Sequence, residues 1–201
     1  MNKNISIIVA STLEYGIGFE NELCWNIPDE LKYFRHITTS CLRKNTKNCV
    51  IMGKNTWYSL PKAPLKDRIN IIISSNDYDK IKGELSVAGI TEADARVFKT
   101  IEEALIYVNG NDSNDIIENC FVIGGAQLYN TFLEKHIRDI KSIYWSIIYD
   151  RHYHCDRFIA SNIIYNNFSF LKEDIIINDR YISMYGVNKN NLNNIVDEPP
   201  D

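Results

Sequence analysis

Four short apolar runs constrain this chain more than any other feature: ISIIVA at 5–10, NCVIMG at 48–53, INIIISS at 69–75 and NCFVIGG at 119–125. Each is nearly continuous rather than alternating, as expected of a strand buried on both faces. Helical stretches lie between them. KNTWYSLP is stopped by Pro61, TIEEALIYV (100–108) opens with Thr100 and Glu103 in capping-box spacing, and AQLYNTFLEK follows a double glycine. ARVFK (95–99) and SIYWSIIYD (142–150) add strands, and EDIIIND with RYISMYGV reads as a C-terminal antiparallel hairpin. Strands alternating with helices predict an α/β fold, a mostly parallel sheet with helices on both faces. Residues 76–94 read as polar and irregular, NGNDSND as a loop, and 188–201 as a polar tail or linker after a domain spanning 1–187.

A length of 201 residues suits one domain with a sizeable core. The net charge of −4 argues against nucleic acid or an acidic membrane as the main partner. No apolar run reaches membrane-span length, and the N-terminus has neither the apolar length nor the cleavage pattern of a signal peptide. Five cysteines, an odd count without a C-x-x-C pair, fit reduced thiols in a cytosol-like compartment.

In parallel sheets, ligands bind at the carboxyl ends of strands. Those ends carry Ala10, Gly53, Ser74, Ser75, Gly124 and Gly125. Two common nucleotide signatures fail here: GIGFEN has Asn21 in place of a third glycine, and MGKN has Asn55 where a P-loop needs Ser or Thr. MGKNTW still carries phosphate logic. A helix N-terminus follows Gly53, Lys54 adds charge, and Thr56, Ser74 and Ser75 add hydroxyls. The same pattern also fits an ordinary strand–turn–helix with a surface lysine. In IGGAQLY, two glycines permit close backbone approach to a ligand, or simply make a tight turn. HYHC (152–155) has metal-ligand residue types but no second cluster, so no metal site is assigned.

NELCWNIPDELKYF (21–34) poses a question of its own. Pro28 suits a first helical turn. At helical spacing, Ile27, Leu31, Phe34 and Ile37 form an apolar stripe, Asp29 falls opposite, and Glu30 falls inside the stripe. A buried carboxylate costs several kcal/mol unless something charged or hydrogen-bonding meets it. A slight rotation of the helix, or a favourable helix-dipole position, would account for Glu30 without any ligand.

Taken in order, IVA, GIG, WNIPDELKYF, VIMGKNTW, LKDRIN, IISS, VIGGAQLY and YWSI resemble the dihydrofolate reductase family over most of residues 5–187. The resemblance implies a three-layer fold, with a central, mostly parallel, eight-stranded mixed sheet ending in an antiparallel hairpin. It implies reduction of 7,8-dihydrofolate to tetrahydrofolate with NADPH, in support of one-carbon metabolism and thymidylate synthesis. Glu30 would hydrogen-bond the pterin 2-amino group and N3, Trp25 would help hold a water near it, and Ser146 stands where the family usually has Thr. Ile8, Val9, Leu31, Phe34, Leu65 and Ile123 would form the apolar wall for the substrate, and Arg68 would bind the glutamate α-carboxylate. On the cofactor side the resemblance places Ala10, Ile17, Gly18, Asn21 and Leu23 by the nicotinamide, with Tyr129 nearby. Gly53, Lys54, Asn55, Thr56, Ser74 and Ser75 fall to the adenosine and 2′-phosphate region. Gly124 and Gly125, joined by a cis peptide in the family, and Ala126, Gln127 and Leu128 follow along the dinucleotide. Residues 12–24 would be a lid. Antifolates are the implied inhibitors, and a fused or associated thymidylate synthase is an implied partner. Cys24 departs from the family's Pro before the tryptophan, which puts a thiol near the site. Rival readings are a reductase of the same fold acting on a pyrimidine intermediate of riboflavin synthesis, against which Glu30 and Arg68 argue, and a folate-binding module without catalysis.

Overall fold

In the computed structural model, which describes residues 3–110 and 116–192, the apolar runs are strands and the capped stretches are helices. The order is β1 (Asn4–Thr12), β2 (Gly16–Gly18), α1 (Pro28–Thr39), β3 (Lys47–Gly53), α2 (Lys54–Ser59), β4 (Arg68–Ile73), α3 (Tyr78–Val87), β5 (Ala95–Phe98) and α4 (Ile101–Asn109). It continues with β6 (Ile117–Gly124), α5 (Ala126–Lys135), β7 (Ile140–Ile148), β8 (Arg157–Phe158), α6 (Ser161–Asn167), β9 (Phe168–Ile177), β10 (Tyr181–Asn188) and α7 (Lys189–Leu192). Eight strands form a mixed sheet in the order β5-β4-β3-β6-β1-β7-β10-β9, and β2 pairs with β8 in a small second sheet. The β4–β5, β3–β4, β3–β6 and β1–β7 pairs are parallel, whereas β10 runs antiparallel to β7 and β9.

The chain divides into two compact units, Met1–Asn4 with Leu31–Gly125 and Ile5–Glu30 with Ala126–Asp201. In the first, Cys49, Val50, Ile51 and Met52 of β3 are sealed from solvent. Cys49 stands opposite Cys120 of β6, and burial pushes the Cys49 thiol well above its ordinary pKa. Two buried asparagines tie loops to this sheet. Asn48 Nδ2 donates to Thr38 O (3.2 Å) and Ser40 O (2.8 Å), and Asn70 Oδ1 accepts from Leu65 N (2.9 Å). Such bonds satisfy backbone groups that would otherwise be costly to bury.

In the second unit, β1 and β7 are the inner strands. Trp145 is fully buried, its Nε1–H donating to Ser11 Oγ (2.9 Å). Gly186 of β10 faces Phe170 of β9. A Cβ at Gly186 would stand 2.7 Å from the Phe170 ring and 3.0 Å from Ile143 Cγ2, so side chains on both sides close over the glycine. Gly186→Ala is therefore expected to destabilise the fold by about 1–3 kcal/mol, as overpacking does, read as a lower urea midpoint at unchanged slope.

Three expectations change. Residues 76–94 are not irregular: α3 forms there on Ile81 and Leu85, a buried i, i+4 pair. The 69–75 strand stops at Ile73, although Ser74 N still donates to Phe98 O (2.9 Å). Asn188, expected to start the tail, closes β10. It is buried, with its Nδ2 donating to Ile137 O and Ile140 O (2.8 Å each). Residues 111–115 of the expected loop and 193–201 of the tail lie outside the described residues.

Candidate active site

Helix α1 is built as its sequence predicts, starting on Pro28, but its buried face is turned from the expected stripe. Leu31 is 44% exposed, whereas Glu30 is only 6% exposed and Thr38 is sealed. The buried positions are thus 27, 30 and 38, with Phe34 and Ile37 half-buried. A polar residue at two of the most enclosed places on a helix is costly unless each is met by a partner.

Each is met. Within the second unit, the Ser146 hydroxyl donates to the Glu30 carboxylate. Burial lifts the Glu30 pKa above the ordinary carboxylate range, and the Ser146 hydrogen bond opposes part of that rise. Among the described residues no Lys or Arg pairs with this carboxylate. Ser146 comes to the site through β7, whose register sets it beside Ala10 and sets Trp145 beside Val9 of β1. Ile8 and Val9 are buried, and Tyr129 of α5 donates its hydroxyl to Ile8 O (2.7 Å). Burial and then the Glu30 charge raise the Tyr129 phenol far above its ordinary range, so it stays neutral. Trp25 packs edge-on against Tyr153 in an apolar cluster with Ile27, Ile148 and Tyr181, and its buried indole N–H has no protein acceptor among the described residues.

The 12–24 segment is pinned to Asp156, the residue before β8. Asp156 N donates to Gly18 O (3.0 Å), and Asp156 Oδ2 accepts from Glu20 N (3.3 Å). Gly18 leaves no room for a side chain: a Cβ would lie 2.7 Å from Glu22 O. Asn21 holds a left-handed backbone (φ 67), which asparagine tolerates better than most residues. Ile17 is half-buried, and Leu23 is 54% exposed.

Within the first unit, Thr38 meets Arg68. Arg68 Nη1 donates to Thr38 Oγ1 (2.8 Å), Nε donates to Lys66 O (3.0 Å), and the guanidinium lies over the Phe34 ring at 5.9 Å. Burial lowers the Arg68 pKa, yet guanidinium remains charged at any pH of interest. Leu65 and Ile123 are half-buried. The ends of β3 and β6 approach as bare backbone: a Cβ on Gly53 would be 3.9 Å from Gly124 O, and one on Gly125 would be 3.4 Å from Thr56 Oγ1. The Gly124–Gly125 bond is cis. Gly53 caps α2 without a side-chain bond. Of the residues that follow Gly125, Leu128 packs inward with Tyr129, Ala126 is half-buried and Gln127 is exposed.

The phosphate-type cluster is only partly assembled. Lys54 Nζ is paired with Asp77 Oδ2, and Asp77 N donates to Ser74 Oγ (3.2 Å). The Lys54 hydrogen bond holds the Asp77 carboxyl below its ordinary value. Ser75 is exposed with its hydroxyl on Asn76 Oδ1, and Asn55 is exposed at the start of α2. In HYHC, His154 packs on Phe19 and His152 faces Glu14. Among the described residues no group of three acid, His or Cys side chains is placed to hold a metal.

Sequence reasoning missed Thr38, Asp77 and Asp156. Only Thr38 left a signal, four residues after Phe34 on the helix face that turned out to be buried.

The chain is thus an α/β sheet in this strand order, with a buried acid on α1 and two glycines joined in cis at the end of β6. The chain belongs to the dihydrofolate reductase family, whose match runs over residues 4–185. It is 36% identical over 162 residues to the dihydrofolate reductase of Pneumocystis carinii, covering 78% of this chain and 73% of that protein. It is also 36% identical over 137 residues to the dihydrofolate reductase of Candida albicans, covering 67% of this chain and 64% of the relative. A bifunctional dihydrofolate reductase-thymidylate synthase of Arabidopsis thaliana is 34% identical over 164 residues, 77% of this chain but only 26% of the plant protein.

Proposed function

We propose that this chain reduces 7,8-dihydrofolate to 5,6,7,8-tetrahydrofolate with NADPH, and so serves one-carbon metabolism and thymidylate synthesis. The observation that carries the proposal is Glu30, a buried carboxylate met by one hydroxyl and, among the described residues, no cation. The amidine edge of a pterin, its 2-amino group and N3, offers the paired donors such a group lacks. Burial with one opposing hydroxyl keeps Glu30 responsive to that edge, and the bond raises the proton affinity of pterin N5. The Trp25 indole N–H is free to orient water toward the same edge. Ile8, Val9, Leu31, Phe34, Leu65 and Ile123 would be the wall for the pterin and p-aminobenzoyl rings, a role that suits the exposed leucine on α1. Arg68, fixed by Thr38 and Lys66, presents the rest of its fork to the glutamate α-carboxylate.

The residues present fit a dinucleotide. Gly53, Gly124 and Gly125 bring bare backbone together, and α2 begins without a side-chain cap. When bound, NADPH supplies the hydride that goes to pterin C6. Ala10, Ile17, Gly18, Asn21, Leu23 and Tyr129 would hold the nicotinamide side. Gly53, Lys54, Asn55, Thr56, Ser74 and Ser75 would hold the adenosine end, and Gly124, Gly125, Ala126, Gln127 and Leu128 the stretch between. The 12–24 segment closes over the reactants and excludes water. The reductase domain is read as running to the end of β10 at Asn188, followed by a tail or linker.

The Lys54–Asp77 pair bears on the choice between NADPH and NADH. A cofactor 2′-phosphate must compete with a carboxylate already on Lys54. Asp77→Asn is expected to tighten NADPH about 10-fold and leave NADH unchanged, and Lys54→Met to erase most of the preference, both read by cofactor titration of protein fluorescence.

Dihydrofolate and antifolates are the proposed ligands. The plant relatives' names point to thymidylate synthase, fused or associated, as the partner class. A cytoplasmic location fits five unpaired cysteines, and no described helix is long and apolar enough to cross a membrane. The direct test is NADPH oxidation by the purified chain with and without dihydrofolate, with NADH as control. Oxidation that requires dihydrofolate and prefers NADPH supports the reading. Methotrexate binding without turnover would reduce it to a folate-binding domain.

A further inference from the structure

We infer that Cys24 and Cys155 form a dithiol modification site, which small disulfides of the glutathione class convert to an intramolecular disulfide that fastens the 12–24 segment to the strand following residue 155. The two Sγ atoms are 3.3 Å apart, although 131 positions separate the residues in sequence. Cys24 Sγ also donates to His154 O (3.1 Å). Both cysteines are half-buried and pack on the rim of the Trp25, Ile27 and Tyr153 cluster, so a reagent can reach them while their backbones stay supported.

The surroundings already hold the pair in register. β2 pairs with β8 through Gly16–Phe158 and Gly18–Arg157, and Asp156 binds Gly18 O and Glu20 N. Gly16 makes the room: a Cβ there would fall 2.5 Å from both Cβ and Sγ of Cys155. The remaining pair of neighbouring thiols, Cys49 and Cys120, is sealed in the sheet, and the groups that act on Cys41 are Thr46, Glu118, Asn48 and Arg43, with no cysteine among them.

The chemistry balances. One protein thiolate attacks a sulfur of oxidised glutathione and expels a glutathione thiolate, leaving a mixed disulfide. The second protein thiolate then attacks the protein sulfur of that mixed disulfide and expels the other glutathione. Two protein thiols are oxidised, one small disulfide is reduced, and the two protons pass to the released thiols. Burial, with the Cys155 thiol next, pushes the Cys24 thiol up to about 12, so exchange at neutral pH is slow and proceeds through a small thiolate fraction.

The test incubates the whole chain with oxidised glutathione and reads peptide masses after alkylation, together with protease cleavage within 12–24. The expected result is a Cys24–Cys155 cross-linked peptide, loss of two alkylatable thiols, and cleavage slowed several-fold until dithiothreitol restores it. Cys155→Ser should abolish the cross-link and leave glutathione on Cys24, and Cys41→Ser should change nothing. Glutathione that stays as stable adducts in the unsubstituted chain, or a cross-link that involves Cys41, would overturn the proposal. The mass and cleavage readouts do not depend on turnover, so a chain that fails to reduce dihydrofolate still decides this question.

Discussion

Glu30→Gln is expected to cut dihydrofolate turnover by about 10²- to 10⁴-fold, the range general acid–base groups contribute, while the chain stays folded. Glutamine keeps the shape, and its amide oxygen still accepts from Ser146. On the proposed reading, what it loses is the charge that would meet the amidine edge and raise the proton affinity of N5. The loss should fall on kcat, with substrate affinity reduced less. Stability gives a second, independent readout. Burial raises the Glu30 pKa in the folded chain above its ordinary value of 4.5. Between the unfolded and folded values the native state binds more protons, so this residue's contribution to stability falls as pH rises from about 4.5 through the folded value and is constant above it. Glutamine has no such penalty. Relative to the unsubstituted chain, Glu30→Gln should therefore gain in Tm from pH 4 to pH 8. Unchanged turnover, or a relative Tm that falls over that range, would remove Glu30 from its role.

Arg68→Lys is expected to weaken dihydrofolate binding about 10- to 100-fold, since one charge-assisted hydrogen bond is worth about 1.5–3 kcal/mol. Lysine keeps the charge but not the planar fork. Nη1 and Nε are occupied by Thr38 and Lys66, so the orientation of the fork is set before the substrate arrives. The change should raise KM with kcat nearly intact. A pterin substrate without the glutamate serves as the control, because its KM should be the same for both chains. A structural role for Arg68, through Thr38 and the Phe34 ring, would harm both substrates alike and lower Tm.

The parts of the fold legible in the sequence are those where local signals agree with packing. The runs ending at Gly53 and Gly124 are strands because they are apolar on both faces and the glycines end them. Thr100 caps α4 as its spacing predicts, with its Oγ1 accepting from Glu103 N (3.2 Å), although the Glu103 carboxylate reaches back to Lys99 N rather than to Thr100. α3 was hidden because Gly83, a poor helix former, sits in its middle and only two of its residues are buried. The site was legible where one helix turn carries the signal, as at Glu30, whose burial was read correctly even though Leu31 was assigned to the wrong side. It was illegible where a long-range partner decides. Nothing near Lys54 announces Asp77, 23 residues away, and the Cys24–Cys155 contact spans 131.

Cys49 and Cys120 have a consequence of a different kind. Their thiols face each other across β3 and β6 with no exposed surface, so a reagent meets them only when those strands part. The pair therefore works as an internal clock. The rate at which an alkylating agent in excess consumes these two sulfurs reports how often the sheet opens, when labelling outpaces reclosing. The outer cysteines, labelled first, mark the start of the count.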